Sequence, residues 1–299
     1  MKKLKINLII ISVLLVVADE SRAGNNKPFD IRAGLGLNQN ALYIQSDLDF
    51  NPSNSINFNI TPFVQADYYF SKNWGVGLGI DYNRYSFLNI LSNYKNSYTG
   101  IDNWEGDPVA RNYEFFIESN NTDIEEAMVM HYLDIPVSAV YRHTLSAKTN
   151  LIARAGLKIG IPVAGNYRLE NSKLKTRLYF KEWDLELFNI PAHGLYENRT
   201  DWHPEGETAL TLATSIFAEL GVSYQLSPSI NSRISAYYSY GLNDIISESQ
   251  TSLIYWRNAY NSMLTLTEKV SLHQLGLRIS FSYLKVKKPI VRGHDLPIM

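Results

Sequence analysis

Cysteine is absent from the 299 residues. That excludes a thiol nucleophile, a thiolate-held zinc, a disulfide framework and lipid attachment through an N-terminal cysteine. Charge of one sign is lacking too. Lys and Arg number 28 against 29 Asp and Glu, a net charge of -1, so the chain has no basic footprint for nucleic acid. After residue 18 no apolar run approaches the ~20 residues of a spanning helix. A phosphate-cradling glycine loop is missing as well, because the glycines alternate with apolar residues as strand positions do. No cofactor is implied.

What is present begins at the N-terminus. Met1-Lys2-Lys3-Leu4-Lys5 is a positive leader, Ile6 to Ala18 is nearly all apolar, and Ser21-Arg22-Ala23 sets small residues before a cut. This layout is that of a signal peptide over 1–23, cleaved after Ala23. The apolar run is too short for an anchor and soon meets Asp19 and Glu20.

The rest of the chain alternates. In YLDIPVSAVYR (132–142), Leu133, Ile135, Val137, Ala139 and Tyr141 fall on one face, and Asp134, Pro136, Ser138 and Arg142 on the other. The same period of two marks 29–37, 56–70, 74–82, 151–163, 210–226, 233–242 and 270–283, eight segments in all. Three connections are short: Ser71-Lys72-Asn73, Ser146 to Asn150, and Ser227-Pro228-Ser229. Four are longer and polar, near 46–55, 91–126, 171–206 and 248–268, and the two kinds strictly alternate.

That pattern is the one expected of an eight-stranded antiparallel up-and-down transmembrane β-barrel with short periplasmic turns and long extracellular loops. Lipid cannot satisfy open strand edges, so a membrane form must be closed. A soluble β-sandwich also alternates. Its strands are shorter, however, and it has no reason to end its apolar face in Phe70, Trp74, Tyr141, Tyr224, Phe281 and Tyr283 beside the short turns. The expected organisation is a signal peptide (1–23), a barrel over 24–284 in the outer membrane, and a basic tail (285–299), with both termini periplasmic.

The polar face then lines the lumen. It carries Arg32, Asp67, Asp81, Asp134, Arg142, Arg154, Lys158, Glu219, Arg233 and Arg278. An eight-stranded lumen is only wide enough for its own side chains. Mixed signs can pair there, and the glycines on the first, third and fifth strands leave room for long arginines. A packed polar plug is predicted rather than an open pore. Pro62, Pro136 and Pro162 interrupt strands that have no free edge. Pro136 and Pro162 should both lie roughly 23 Å above the Ser146–Asn150 turn, where a bulge is expected.

Tyr132-Leu133-Asp134-Ile135-Pro136-Val137 resembles the Y-L-[E/D]-I-P-[L/V] strand of the outer-membrane β-barrel families of Bacteroidetes, PorT-like proteins included. The stretches at 29–37 and 63–75 are similar too. The resemblance implies an eight-stranded outer-membrane barrel and no catalytic residue. Some PorT-like members are linked to protein export by the type IX system, so envelope or secretion-machinery proteins join outer-membrane lipid as expected partners. One departure is the end of the chain, where the basic tail follows Tyr283 instead of an aromatic terminus.

Chemistry has few footholds. Ser271 and His273 share the apolar face near Glu268, a weak Ser–His–acid set for deacylating an outer-leaflet lipid. His203 and Glu205 offer too few ligands for a metal site. The sequons at Asn120 and Asn198 carry little meaning in a bacterial chain. Four of the five tryptophans (Trp104, Trp183, Trp202 and Trp256) lie in long loops, as ligand contacts or as packing for the loops themselves. The expectation is a barrel without enzymatic activity, with a structural or surface-binding role. An export accessory and a lipid-modifying enzyme are the alternatives, and a pore is a lesser one.

Overall fold

A computed structural model describes residues 29–53, 58–102, 111–119, 122–200, 203–255 and 260–283. The segments expected to be a signal peptide (1–23) and a basic tail (285–299), and Trp104, Trp202 and Trp256, lie outside the described residues. Fourteen strands follow in chain order. They are β1 (Phe29–Gln45), β2 (Phe50–Ser53), β3 (Phe58–Tyr69), β4 (Trp74–Leu91), β5 (Lys95–Asp102), β6 (Arg111–Ser119) and β7 (Ile124–Thr144). Then come β8 (Thr149–Asn171), β9 (Leu174–Phe180), β10 (Leu185–Phe188), β11 (Glu205–Glu207), β12 (Ala213–Gln225), β13 (Ile230–Gly241) and β14 (Lys269–Tyr283).

Eight of them close a ring. The order is β1-β3-β4-β7-β8-β12-β13-β14, every neighbour is antiparallel, and β14 returns to β1 from Arg32↔Ser282 to Gln45↔Lys269. Closure removes the unpaired edges that lipid would penalise. The three short turns gather at one rim. The long connections, with β2, β5, β6 and β9 to β11, lie beyond the other.

The outward face shows where lipid ends. Near the short turns it carries Phe29, Tyr68, Phe70, Trp74, Tyr224, Phe281 and Tyr283, all exposed. Above them come exposed aliphatics such as Val76, Leu78, Ile80, Leu157, Ile159, Leu220, Ile234, Leu277 and Ile279. A second aromatic belt follows, with Tyr43, Tyr82, Tyr238 and Tyr240. From Tyr283 to His273 on β14 is ten residues, or roughly 25 Å at ~3.3 Å each and ~40° tilt. That matches the apolar band of an outer-membrane barrel.

Beyond the second belt the faces exchange polarity. On β4 the inward side runs Gly75, Gly77, Gly79, Asp81, Asn83 and then Tyr85, Phe87 and Leu91. On β7 it runs Ser138, Asp134 and then Tyr132, Met130 and Met128. The outward side meanwhile turns to Arg84 and His131, which are paired across the strands. The physical reason is the surroundings. In lipid the outside must be apolar and the polar side chains turn inward. In water the hydrophobic effect puts the apolar residues inside.

The strands therefore outrun the predicted segments. β7 and β8 are 21 and 23 residues long. Two of the expected polar loops, 91–126 and 171–206, prove to contain a second sheet in the order β10-β9-β6-β5. It packs over a core of Leu91, Phe115, Ile117, Ile124, Leu169 and Leu178, among others. The expected bulge forms at Pro162, but none forms at Pro136, where the registers on both sides run on unchanged. The β7–β8 register slips beside Pro162, so that His131 faces Ala164 while Tyr132 faces Pro162 and Val163 is left as the extra residue. Pro136 instead sits against Gly79, where a side chain on β4 would crowd its ring.

Candidate functional site

The lumen within the apolar band is filled by ion pairs. Asp67 lies between two guanidiniums, Arg154 at 3.2 Å and Arg233 at 3.3 Å. Glu219 faces Arg154 at 3.7 Å and Arg278 at 3.9 Å, and accepts a hydrogen bond from Ser235 at 2.7 Å. Arg278 reaches Asp81 at 2.7 Å, with its guanidinium 3.8 Å from the centre of the Tyr237 ring. Lys158 is 3.0 Å from Asp134. Arg32 pairs with Asp30.

Nine of the ten charged residues named from sequence thus form a buried lattice. The tenth, Arg142, does not join it. It is less buried, lies 4.0 Å over the Tyr69 ring at the short-turn rim and points toward the Lys72 carbonyl. Asp30 is not among those ten but joins the lattice through Arg32. Its spacing of two from Arg32 was the available signal. With Asp30 included, the interior balances Arg32, Arg154, Lys158, Arg233 and Arg278 against Asp30, Asp67, Asp81, Asp134 and Glu219. Two charges buried without each other would cost several kcal/mol apiece, and paired they can be tolerated.

Above the ions a neutral ladder continues. Asn38 donates to Thr61 at 2.8 Å, Thr61 to Asn83 at 2.6 Å, and Asn83 to Asp134 at 2.6 Å, while Gln274 donates to Asn83 at 2.8 Å. Higher still, Leu42, Tyr85, Met128, Met130, Tyr132 and Leu272 form an apolar core. It is closed by Ile245, Ile246 and Leu264 from the β13–β14 connection, which includes a short 3-10 helix (Met263–Leu266). Between ladder and core is a cavity of about 10 Å³, lined by Tyr85, Asp134, Lys158 and Leu272 among others. That is room for about one water. The interior is thus polar and packed below, apolar and packed above. In planar bilayers the purified protein is expected to leave the current at baseline. A steady open level of porin size would contradict this packing.

The other residues singled out from sequence are dispersed. Ser271 is buried, with its hydroxyl 3.4 Å from His273 Nε2. His273 stands edge-on to Tyr43 and Tyr240. Glu268 accepts from Gln45 at 2.9 Å instead of meeting that histidine. The carboxylate is thus committed elsewhere in the wall. His203 donates from Nδ1 to the Leu169 carbonyl at 3.1 Å. Trp183 is exposed, with the Arg111 guanidinium 4.8 Å from its ring and the Phe180 ring tilted against it at 5.5 Å.

The second sheet supplies the open surface. Its outer face carries Glu114, Phe116 and Glu118 from β6, Lys175, Arg177 and Tyr179 from β9, and Glu186 and Phe188 from β10. Arg177 lies 4.2 Å over the Phe116 ring and 2.7 Å from Glu186. Beside them a groove of about 400 Å³ is lined by Lys95, Ser97, Phe116, Glu118 and Arg177 with the strand backbone. Its size is within the range of small-molecule clefts.

The family model described as "Outer membrane protein beta-barrel domain" matches residues 17–247. No curated protein matches the chain. Among solved structures, it is similar to Ail, the attachment invasion locus protein of Yersinia pestis, solved in complex with the heparin analogue sucrose octasulfate. There the identity is 10%, 85% of this chain and 96% of that one are covered, and the TM-score is 0.29. Neisserial surface protein A matches at 10% identity, over 85% and 96% of the two chains, with a TM-score of 0.33. The outer membrane protein OprG from Pseudomonas aeruginosa matches at 14% identity, over 85% and 94%, with a TM-score of 0.36.

Proposed function

Because the chain belongs to the family of the outer membrane protein beta-barrel domain and is an outer-membrane barrel, we propose that it serves as a fixed support presenting its second sheet outside the cell. Both termini are then periplasmic, on the side of the three short turns. The observation that carries this reading is the core beneath that sheet. Phe115, Ile117, Leu178 and Phe180 are buried against Leu91, Ile124 and Leu169 from the barrel wall. Apolar burial of this kind anchors a segment instead of leaving it to move with solvent. The outer face turns its mixed aromatic and ionic side chains, paired with one another, toward solvent, where a ligand can meet them.

The resemblance of Tyr132–Val137 to the PorT-like strand favours a second role, as an accessory of protein export. In this chain Asp134 and Pro136 have lumen-side partners in Lys158 and Gly79, so the motif also has a purely structural use. One experiment separates the two. The tagged protein is recovered from its native outer membrane in mild detergent, beside a variant whose residues 92–123 are replaced by a short turn. Surface binding expects ligands that are lost with the replaced segment while the barrel stays folded. Stoichiometric secretion-machinery subunits on both proteins would overturn it in favour of export.

A further inference from the structure

One buried acid belongs to neither the lumen lattice nor the surface face. Glu126, on β7, is fully buried roughly 13 Å beyond the His131 level, within the apolar core of the wall. Three donors converge on it from four consecutive residues of the β13–β14 connection. The Tyr260 hydroxyl and the Met263 N–H reach Oε2 at 3.0 and 2.9 Å, and the Ser262 hydroxyl reaches Oε1 at 2.9 Å. The same connection delivers Met263 to the core under the second sheet and Leu264 to the core that closes the barrel. Glu126 is therefore a buried polar tie between the wall and its cover.

We infer that Glu126 is a proton-operated latch, which holds the β13–β14 connection tightly over the barrel when protonated and loosens it when ionised. The groups facing the carboxyl make the charged form costly. From the connection they are Tyr260 and Ser262, from β4 the cross-strand Asn89, and from β8 Tyr167, which donates to the Tyr260 carbonyl at 2.8 Å. Tyr94 adjoins Tyr260. All are neutral, and among the described residues no ion pair reaches Glu126. Burial pushes its pKa up to about 7, against the pull of the Met263, Ser262, Tyr260 and Asn89 hydrogen bonds. A released connection returns the carboxyl to water and its ordinary value near 4.5. The docked form then holds its proton more firmly than the released form. Docking weakens as pH rises from about 4.5 to about 7, and is flat above that.

The test is hydrogen–deuterium exchange of the full protein in lipid nanodiscs between pH 5 and 7.5, corrected with an unstructured reference peptide. Protection of residues 260–268 should fall at least tenfold across this range in the wild type, and stay level in Glu126→Gln. Tyr260→Phe keeps the carboxyl and removes one donor, so its fall should persist with a midpoint displaced upward. Wild-type protection that is level with pH, or an equal fall in Glu126→Gln, would overturn the latch. Should Glu126→Gln fail to fold, an unmoved midpoint in Tyr260→Phe would do the same.

Discussion

Asp67→Ala is expected to cost the barrel about 3–5 kcal/mol, the usual penalty for breaking a buried ion pair from one side. The carboxylate is fully buried and spans Arg154 and Arg233. Its removal leaves two guanidiniums in a closed lumen, with Glu219 to serve Arg154 and a half-buried Asp30 at 4.0 Å from Arg233. Asp67→Asn should lose nearly as much, because the amide keeps the shape but not the charge. Glu170→Ala breaks a largely exposed pair with Arg168 at 3.8 Å, and should change stability by no more than about 0.5 kcal/mol. Urea unfolding in lipid vesicles, followed by tryptophan fluorescence, measures all three. Equal midpoints for Asp67→Ala and the wild type would mean that the lattice is looser than its distances suggest.

Much of this arrangement is legible in the sequence, and the places where legibility stops have physical causes. Alternation with period two gave the eight wall strands and the inward acids and bases, because one face of each had to meet lipid. The predicted segments on β4 and β7 end at Tyr82 and begin at Tyr132. Those are the positions where the apolar residues pass from the outer face to the inner one. The strand continues, but the phase of its pattern shifts by one residue, as at Tyr85 and Phe87 after Tyr82. A change of solvent along one strand looks like the end of a strand. On β8 the bulge at Val163 instead turns the strand over by one residue, so Ile159 and Ile161 face out and Leu169 faces in with no change of phase in the sequence.

The second sheet was hidden for a different reason. Leu174, Thr176, Leu178 and Phe180 alternate cleanly with Lys175, Arg177 and Tyr179. The stretch is seven residues long and lies between two membrane strands, where a barrel needs only a loop. Nothing local says that it will find β6, whose Phe116 breaks the alternation by placing an aromatic on the outer face. Pairing between segments about sixty residues apart is information that periodicity does not hold. Glu126 is illegible for a related reason: its three donors arrive from the β13–β14 connection, more than a hundred residues downstream.

If the second sheet is a unit supported by the wall, Phe115→Ala should release it and spare the barrel. Phe115 is 1% exposed and lies in the core with Ile117, Leu178 and Phe180, and the Tyr98 ring is 5.4 Å away. Truncating a buried phenylalanine costs about 3–5 kcal/mol. That is enough to unfold a small four-stranded sheet whose own core supplies most of its stability. Lys95, Arg111, Lys175 and Arg177 all lie in its strands, so trypsin reports the event directly. The wild type should resist cleavage there. The variant should be cut at these sites while its heat-modifiable migration, the mark of a closed barrel, stays unchanged. The lipid-facing wall makes this separation possible, because its ladder and lumen lattice close below the second belt without a contribution from Phe115. A variant that lost sheet and barrel together would show one cooperative structure, and the surface would then be part of what keeps the barrel shut.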